Sequence, residues 1–176
     1  MPQTVVLRPW GDEDLAILEA NNAPEMMTYL GGSETAEKVA HRHRVFLDGW
    51  TNDDTWVFAI LVDGTPVGSV GYWPSTHGET PIFEAGWSVH TPFQGRGYGA
   101  AALGLCIQDA RARATADRRL LYAFPRIDNA ASNRICEKAG MTNTGEEAFE
   151  YPKGVPITCN AWAIDLVAPA PSPPGR

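Results

Sequence analysis

Val89-His90-Thr91-Pro92-Phe93-Gln94-Gly95-Arg96-Gly97-Tyr98-Gly99-Ala100 is the stretch whose reading decides the fold. Before it, Ile82 to Val89 reads as a strand; after it, Gly97 to about Ala114 reads as a helix, with Ala100, Leu103, Ile107, Ala110 and Ala114 on one face. The glycines at 95, 97 and 99 remove the Cβ atoms that would keep a ligand from the backbone. The amides of such a turn and of the first helical residues have no intrahelical acceptor and lie at the positive end of the helix dipole, which makes an anion site suited to a diphosphate. Taken alone, Gly-x-Gly-x-Gly fits an ordinary tight turn equally well. Two nucleotide motifs fit worse: the Walker pattern lacks its Lys-Ser/Thr pair, and the dinucleotide fingerprint needs Gly-x-Gly-x-x-Gly inside a parallel strand-helix-strand unit.

Working outward, the loop follows an antiparallel meander. Trp56 to Val62 and Pro66 to Trp73 are strand-like runs joined by Asp63-Gly64-Thr65, and the Asp-Gly step is a hairpin signal. Thr4 to Leu7 is an opening strand. Asp12 or Asp14 caps a helix carrying Leu15, Ile17 and Leu18, and Ser33 to Trp50 forms a second, less regular helix. Beyond the loop, Leu120 to Phe124 is a short buried strand, Ala130 to Ala139 a helix stopped by Gly140, and Pro156 to Leu166 a final strand. The 176 residues are sized for one domain, placed at 1–167, followed by a Pro- and Ala-rich tail, 168–176, expected to be disordered.

With 44% hydrophobic and 20% charged residues, the composition is that of a soluble globular protein, and no segment is apolar for long enough to span a membrane. The N-terminus lacks the basic and apolar regions of a secretory signal, so a cytoplasmic location is expected. Cys106, Cys136 and Cys159 form no Cys-x-x-Cys pair and read as buried free thiols. A formal charge of −7 disfavours a nucleic-acid binder, which needs a basic surface. The four histidines are too scattered for a metal site, and His90 reads as structural.

Gln94-Gly95-Arg96-Gly97-Tyr98-Gly99-Ala100 resembles the pyrophosphate loop, Gln/Arg-x-x-Gly-x-Gly/Ala, of the GNAT superfamily of N-acetyltransferases. Leu7-Arg8-Pro9-Trp10 with Asp12, and Glu84-Ala85-Gly86-Trp87-Ser88-Val89, resemble the opening and central strands of its RimJ/RimL-type branch, which acetylates ribosomal-protein N-termini. Asn129-Ala130-Ala131-Ser132-Asn133-Arg134 and Glu137-Lys138-Ala139-Gly140-Met141 resemble the branch's Asn-x-x-Ser helix and its Lys-x-Gly-Phe ending. Residues 4 to about 166 follow the family order.

The resemblance implies an α+β GNAT fold: a mixed, mostly antiparallel sheet whose two central strands splay apart, with helices on both sides and CoA in the gap. It implies acetyl-CoA as acyl donor, a diphosphate on the amides of Arg96 to Ala100, and a pantetheine arm that pairs like a strand with Trp87, Ser88 and Val89. Asn129 and Asn133 would touch the arm from the other side, and the amide of Val89 would hold the oxyanion. Arg96 either adds charge near the phosphates or is a solvated loop cation.

An amine attacking a thioester must be neutral, and the leaving thiolate must be protonated or otherwise stabilised. The resemblance makes Ser132 the candidate proton donor, with Tyr122 and Tyr98 as weaker stand-ins. For the base, two glutamates compete. Glu150 resembles the ribosomal branch's glutamate; Glu84 resembles the one that other acetyltransferases use through water. By strand parity Glu84 shares a face with Gly86 and Ser88, opposite Phe83, Ala85, Trp87 and Val89.

Three functions compete: acetyl transfer to a protein or peptide N-terminus, modification of a small-molecule amine, and non-catalytic acyl-CoA binding. Another acyl group, such as succinyl, remains open. The oligomeric state is not set by the sequence, and a homodimer is the default expectation.

Overall fold

The computed structural model describes residues 3–168. Among these residues a seven-stranded sheet, β1 Val5–Pro9, β2 Trp56–Val62, β3 Thr65–His77, β4 Thr80–Val89, β5 Leu120–Ala123, β6 Thr142–Glu150 and β7 Pro156–Asp165, runs in the order β1-β2-β3-β4-β5-β7-β6. The helices are α1 Leu15–Asn21, α2 Ala36–Asn52, α3 Tyr98–Arg111 and α4 Ala130–Lys138. Of the tail expected at 168–176, residues 169–176 lie outside the described residues.

The near-continuous apolar run of β2 follows from burial on both faces of the sheet. Trp56, Phe58, Ile60 and Val62 join Leu103, Cys106 and Ile107 of α3 in the main core, whereas Val57 and Ala59 turn to the other face and meet Ile17, Leu18 and Val39 of α1 and α2. Asp63 and Gly64 take φ 49° and 80°, the two positive values that a tight hairpin turn matching strand twist requires. At the α1 end, buried Asp14 is satisfied by the Arg8 guanidinium at 2.6 Å and by the Gly11 amide at 2.8 Å.

Three elements depart from the sequence reading. β3 runs on through Pro74 to His77. Ladder pairs alternate in direction, and the His90 amide donates to the Val67 carbonyl, so Pro74, an odd number of steps along, points its nitrogen away from β4. On that side β2 has already ended, because its last partner is Tyr72, and the missing N–H leaves no carbonyl unpaired. β6 was not anticipated: it is an edge strand, almost wholly exposed, whose Thr-Asn-Thr-Gly-Glu-Glu pattern lacks apolar alternation. Helix α3 ends at Arg111, and its buried face centres on Ala102, Leu103, Cys106, Ile107 and Ala110, with Ala100 only partly covered.

The central feature is the seam between β4 and β5. These strands are parallel and share two residue pairs, Phe83 with Leu121 and Glu84 with Tyr122. From Ala85 onward β4 keeps its partner β3 and loses β5, so the sheet opens into a V toward the loop that follows Val89.

Candidate active site

The V opens onto the glycine loop. Pro92 sits in a single 3-10 turn, Thr91–Phe93, which bends the chain out of β4. Gly95 and Gly97 adopt φ 75° and 85°, and a Cβ built on either would meet no atom within 4 Å. Both therefore need glycine for conformation and leave bare backbone facing open space. The first bond of the helix runs from the Ala101 amide to the Gly97 carbonyl at 3.1 Å. The six amides from Gly95 to Ala100 find no acceptor among the described residues. Gly99 has another reason: a Cβ there would lie 2.6 Å from Ile135 Cδ1, so it sets how closely α3 meets α4. Tyr98 is buried and its hydroxyl donates to Gln3. Arg96 is exposed, has no ion-pair partner among the described residues, and lies 6.0 Å from the Phe93 ring.

The alternation of the β3–β4 ladder fixes which backbone groups face the V. Because His90 bonds to Val67, the neighbouring Val89, opposite Gly68, and then Trp87, opposite Val70, turn their N–H and C=O away from β3 and into the gap. Gln94 folds back so that its Nε2 donates to the Val89 carbonyl at 2.8 Å. The Val89 amide remains directed into the V. Ser88 bonds on the β3 side and projects its side chain to the opposite face from Val89.

On the far side of the gap, Asn129 caps α4 by accepting from the Ser132 amide at 3.1 Å. The Ser132 hydroxyl makes no hydrogen bond among the described residues. Asn133 is fully engaged: its Nδ2 donates to the Arg126 and Asn129 carbonyls at 2.8 and 2.9 Å, and its Oδ1 accepts from Asn160 and Trp162 at 2.7 and 2.8 Å. That uses its whole capacity, so its side chain pins α4 to β7 and has nothing left for a pantetheine arm. The stand-in tyrosines are covered as well, since Tyr122 lies under the His77 ring at 4.5 Å between centroids and Tyr98 is committed to Gln3.

The two candidate bases stand on different strands, Glu84 on β4 and Glu150 at the end of β6. Glu84 is partly buried on β4, directly opposite Trp73, and accepts from the Ser75 hydroxyl at 3.1 Å. Glu150 is exposed at the tip of the β6–β7 hairpin, where it accepts from the Gly154 amide at 3.2 Å.

Beside the V, on the face that carries Gly86 and Ser88, lies a cavity of about 240 Å³ roofed by α1, α2 and their connecting loop. Trp73 leans over Gly86, where a Cβ would stand 3.0 Å from its Cη2, and lines this cavity. Glu34 and Arg42 are the ionisable side chains lining it among the described residues, and neither Glu84 nor Glu150 does so. Asn21, Glu34, Arg42 and Trp73 escaped the sequence reading. They come from separate elements, fall in no spaced motif, and only the packing of α1 and α2 over β3 assembles them.

His90, at the exit of β4, donates through Nε2 to the Ile17 carbonyl at 3.3 Å. Because a carbonyl only accepts, Nε2 carries the hydrogen. Burial lowers the His90 pKa, and the bond to Ile17 partly opposes that shift. The cysteines are all buried, and burial pushes the Cys136 thiol up to about 12. Among the described residues there is no cluster able to hold a metal ion, and no helix is long and apolar enough to cross a membrane.

The family model described as an acetyltransferase (GNAT) domain matches residues 4–142. No curated protein sequence matches significantly. Among solved structures, the yncA protein of Salmonella typhimurium with its cofactor acetyl-CoA is similar at a TM-score of 0.74 and 22% identity, over 95% of this chain and 98% of that one. An acetyltransferase of the same organism that modifies the N-terminal serine of ribosomal protein L7/L12 gives 0.74 and 19%, over 92% and 95%. The aminoglycoside acetyltransferase AAC(6')-Ib in complex with coenzyme A gives 0.71 and 15%, over 92% and 95%. At these identities the likeness is one of fold.

Proposed function

The chain belongs to the GNAT family of N-acetyltransferases, and from that premise we propose that it moves an acetyl group from acetyl-CoA to a primary amine by direct attack. The observation that carries this reading is the row of unsatisfied amides from Gly95 to Ala100 at the open end of the β4–β5 seam. Those amides and the N-terminus of α3 suit the diphosphate. The backbone of Trp87 and Val89, turned into the gap, suits an extended amide-bearing arm.

In this reading the amine nitrogen forms a bond to the thioester carbonyl carbon, and the carbon–sulfur bond breaks. The Val89 amide holds the oxyanion. Ser132, with an uncommitted hydroxyl in the first turn of α4, gives a proton to the leaving thiolate. Glu84 takes the proton from the amine through water. It is preferred to Glu150 because it is partly buried on the floor strand two residues from Gly86, whereas the Glu150 carboxylate is exposed at a hairpin tip. Asn129 shapes the far wall by capping α4. The buried free thiols agree with a cytoplasmic location.

Calorimetry with acetyl-CoA, followed by a thiol-release assay against primary amines, tests the reading. Binding with amine-dependent release is expected. Failure to bind acetyl-CoA refutes the reading, and binding without release from any amine leaves a non-catalytic acyl-CoA-binding protein. In the same assay Glu84→Gln lowers kcat at constant acetyl-CoA affinity, and Glu150→Gln leaves kcat unchanged; the reverse pattern assigns the base to Glu150.

A further inference from the structure

The strand β3 outruns its neighbour. β2 stops pairing at Tyr72, so Trp73 to His77 form an overhang that is laddered to β4 alone. Exposure alternates along it: Pro74 and Thr76 face solvent, whereas Trp73, Ser75 and His77 are partly covered. Those three share a face with Glu84, which stands directly opposite Trp73. The tip of the overhang is fastened across the β4–β5 seam. The His77 ring lies 4.5 Å from that of Tyr122 between centroids, and its Nε2 donates to Glu147 Oε1 on β6 at 2.6 Å.

This overhang brings a hydroxyl to Glu84. Ser75 donates to Glu84 Oε2 at 3.1 Å, and among the described residues it is the one side chain that bonds this carboxylate. Trp73 leans away over Gly86, and the ladder partner of Glu84 on the other side is Tyr122. A glutamate has several rotatable bonds, and a base that swings about them loses rate through misplacement. One oxygen held by Ser75 restricts that swing and leaves Oε1 uncommitted.

We propose that Ser75 is a positioning residue for the transfer: it holds Oε2 of Glu84 so that Oε1 faces the water that carries the amine's proton. This rests on the reading of Glu84 as the base and adds the group that orients it. The surplus proton passes from the amine through water to Oε1 and then to solvent. Ser75 keeps its own hydrogen throughout, so its contribution is geometric and acts only through Glu84.

The test is a double-mutant cycle on the full chain, with acetyl-CoA and the fastest amine among leucinamide, spermidine and kanamycin. Ser75→Ala is expected to lower kcat about 10-fold while the amine KM and acetyl-CoA affinity by calorimetry stay constant. Ser75→Thr, which keeps the hydroxyl, is expected to stay within about 3-fold of the unaltered chain. Ser75→Val has the shape of threonine without the hydroxyl; it repeats the loss, and it stands in if Ser75→Ala fails to fold. In a Glu84→Gln background, adding Ser75→Ala is expected to change kcat less than about 2-fold, because no base is left to orient. The same loss in both backgrounds marks a merely structural role and overturns the proposal. Full kcat in Ser75→Ala overturns it too, as does Ser75→Thr as slow as Ser75→Val, or no turnover of any amine by protein that binds acetyl-CoA. Full rate in Glu84→Gln itself is a distinct result, which removes Glu84 as the base and Ser75 with it, whereas a slow Glu84→Gln beside a fast Ser75→Ala removes Ser75 alone.

Discussion

Replacing Gly97 by alanine separates what the glycine loop does for the fold from what it does for a ligand. Gly97 holds φ +85° and a Cβ there would touch nothing within 4 Å, so the substitution creates no collision in the free protein. Its cost is conformational, about 1–2 kcal/mol for a side chain in the left-handed region. For a chain of this size that corresponds to a fall in Tm of about 2–8 °C. Gly140 supplies a matched control. It has φ +82°, its Cβ site is equally empty, and it closes α4 with amide bonds from Gly140 to Glu137 and from Met141 to Cys136, away from the loop. Gly97→Ala and Gly140→Ala should therefore lose similar stability. They should differ in acetyl-CoA affinity, because the new methyl group at 97 stands where the diphosphate would approach the backbone. Losing one charge-assisted bond there costs about 1.5–3 kcal/mol, roughly a 10- to 150-fold increase in Kd. Thermal melts and calorimetry on both variants make the comparison. Equal acetyl-CoA affinity in the two would refute the assignment of the loop as the phosphate site.

Ser132→Ala should lower kcat by roughly 10²-fold or more with the melting temperature unchanged, because Asn129 rather than the serine hydroxyl caps α4; a full-rate variant removes Ser132 from the chemistry. A disulfide reagent should find no reactive thiol in the native chain and three in denaturant, because Cys106, Cys136 and Cys159 are buried and burial raises their pKa values. For His90, burial holds the folded-state pKa below the ordinary value near 6.5, so on acidification the unfolded chain takes up a proton first. Stability is then fully present above that value and falls as the pH drops below it toward the folded-state pKa. The loss of Tm between pH 7.5 and 5.5 should be smaller in His90→Asn than in the unaltered chain, and an equal loss in both would show that His90 is not responsible.

What the sequence disclosed was chemistry that is local. The Gly95 to Gly99 run announced a bare backbone because its glycines, strand and helix are neighbours in the chain. The Asp63-Gly64 turn was equally legible, since two adjacent residues carry the whole requirement for positive φ. Residues whose role depends on distant partners were not. β6 could not be read because an exposed edge strand needs no alternation, and Asn133 looked available to a ligand until Asn160 and Trp162, on a strand far along the chain, took up its oxygen. The strand reading reached only Trp73, and the early end of β2 is what makes Pro74 acceptable within the longer strand. The cavity beside the V lay furthest from view, because Asn21, Arg42 and Trp73 are ordinary residues until the helices close over β3.

The narrow seam between β4 and β5 gives the protein a mechanical character. With two residue pairs joining them, the strands on either side meet along a short seam, and α3, packed on β1, β3, β4 and α4, and α4, packed on β6, tie the two sides together. A donor arm lying along the bare edge of β4 would act as a clasp, finishing the sheet with a molecule the reaction consumes. At 100 times its Kd such a ligand adds about 2.7 kcal/mol to the stability of the folded chain. Each departure of product would return the two sides to their looser state, so that the resistance of this protein to heat and proteolysis becomes a gauge of the acyl-donor supply around it.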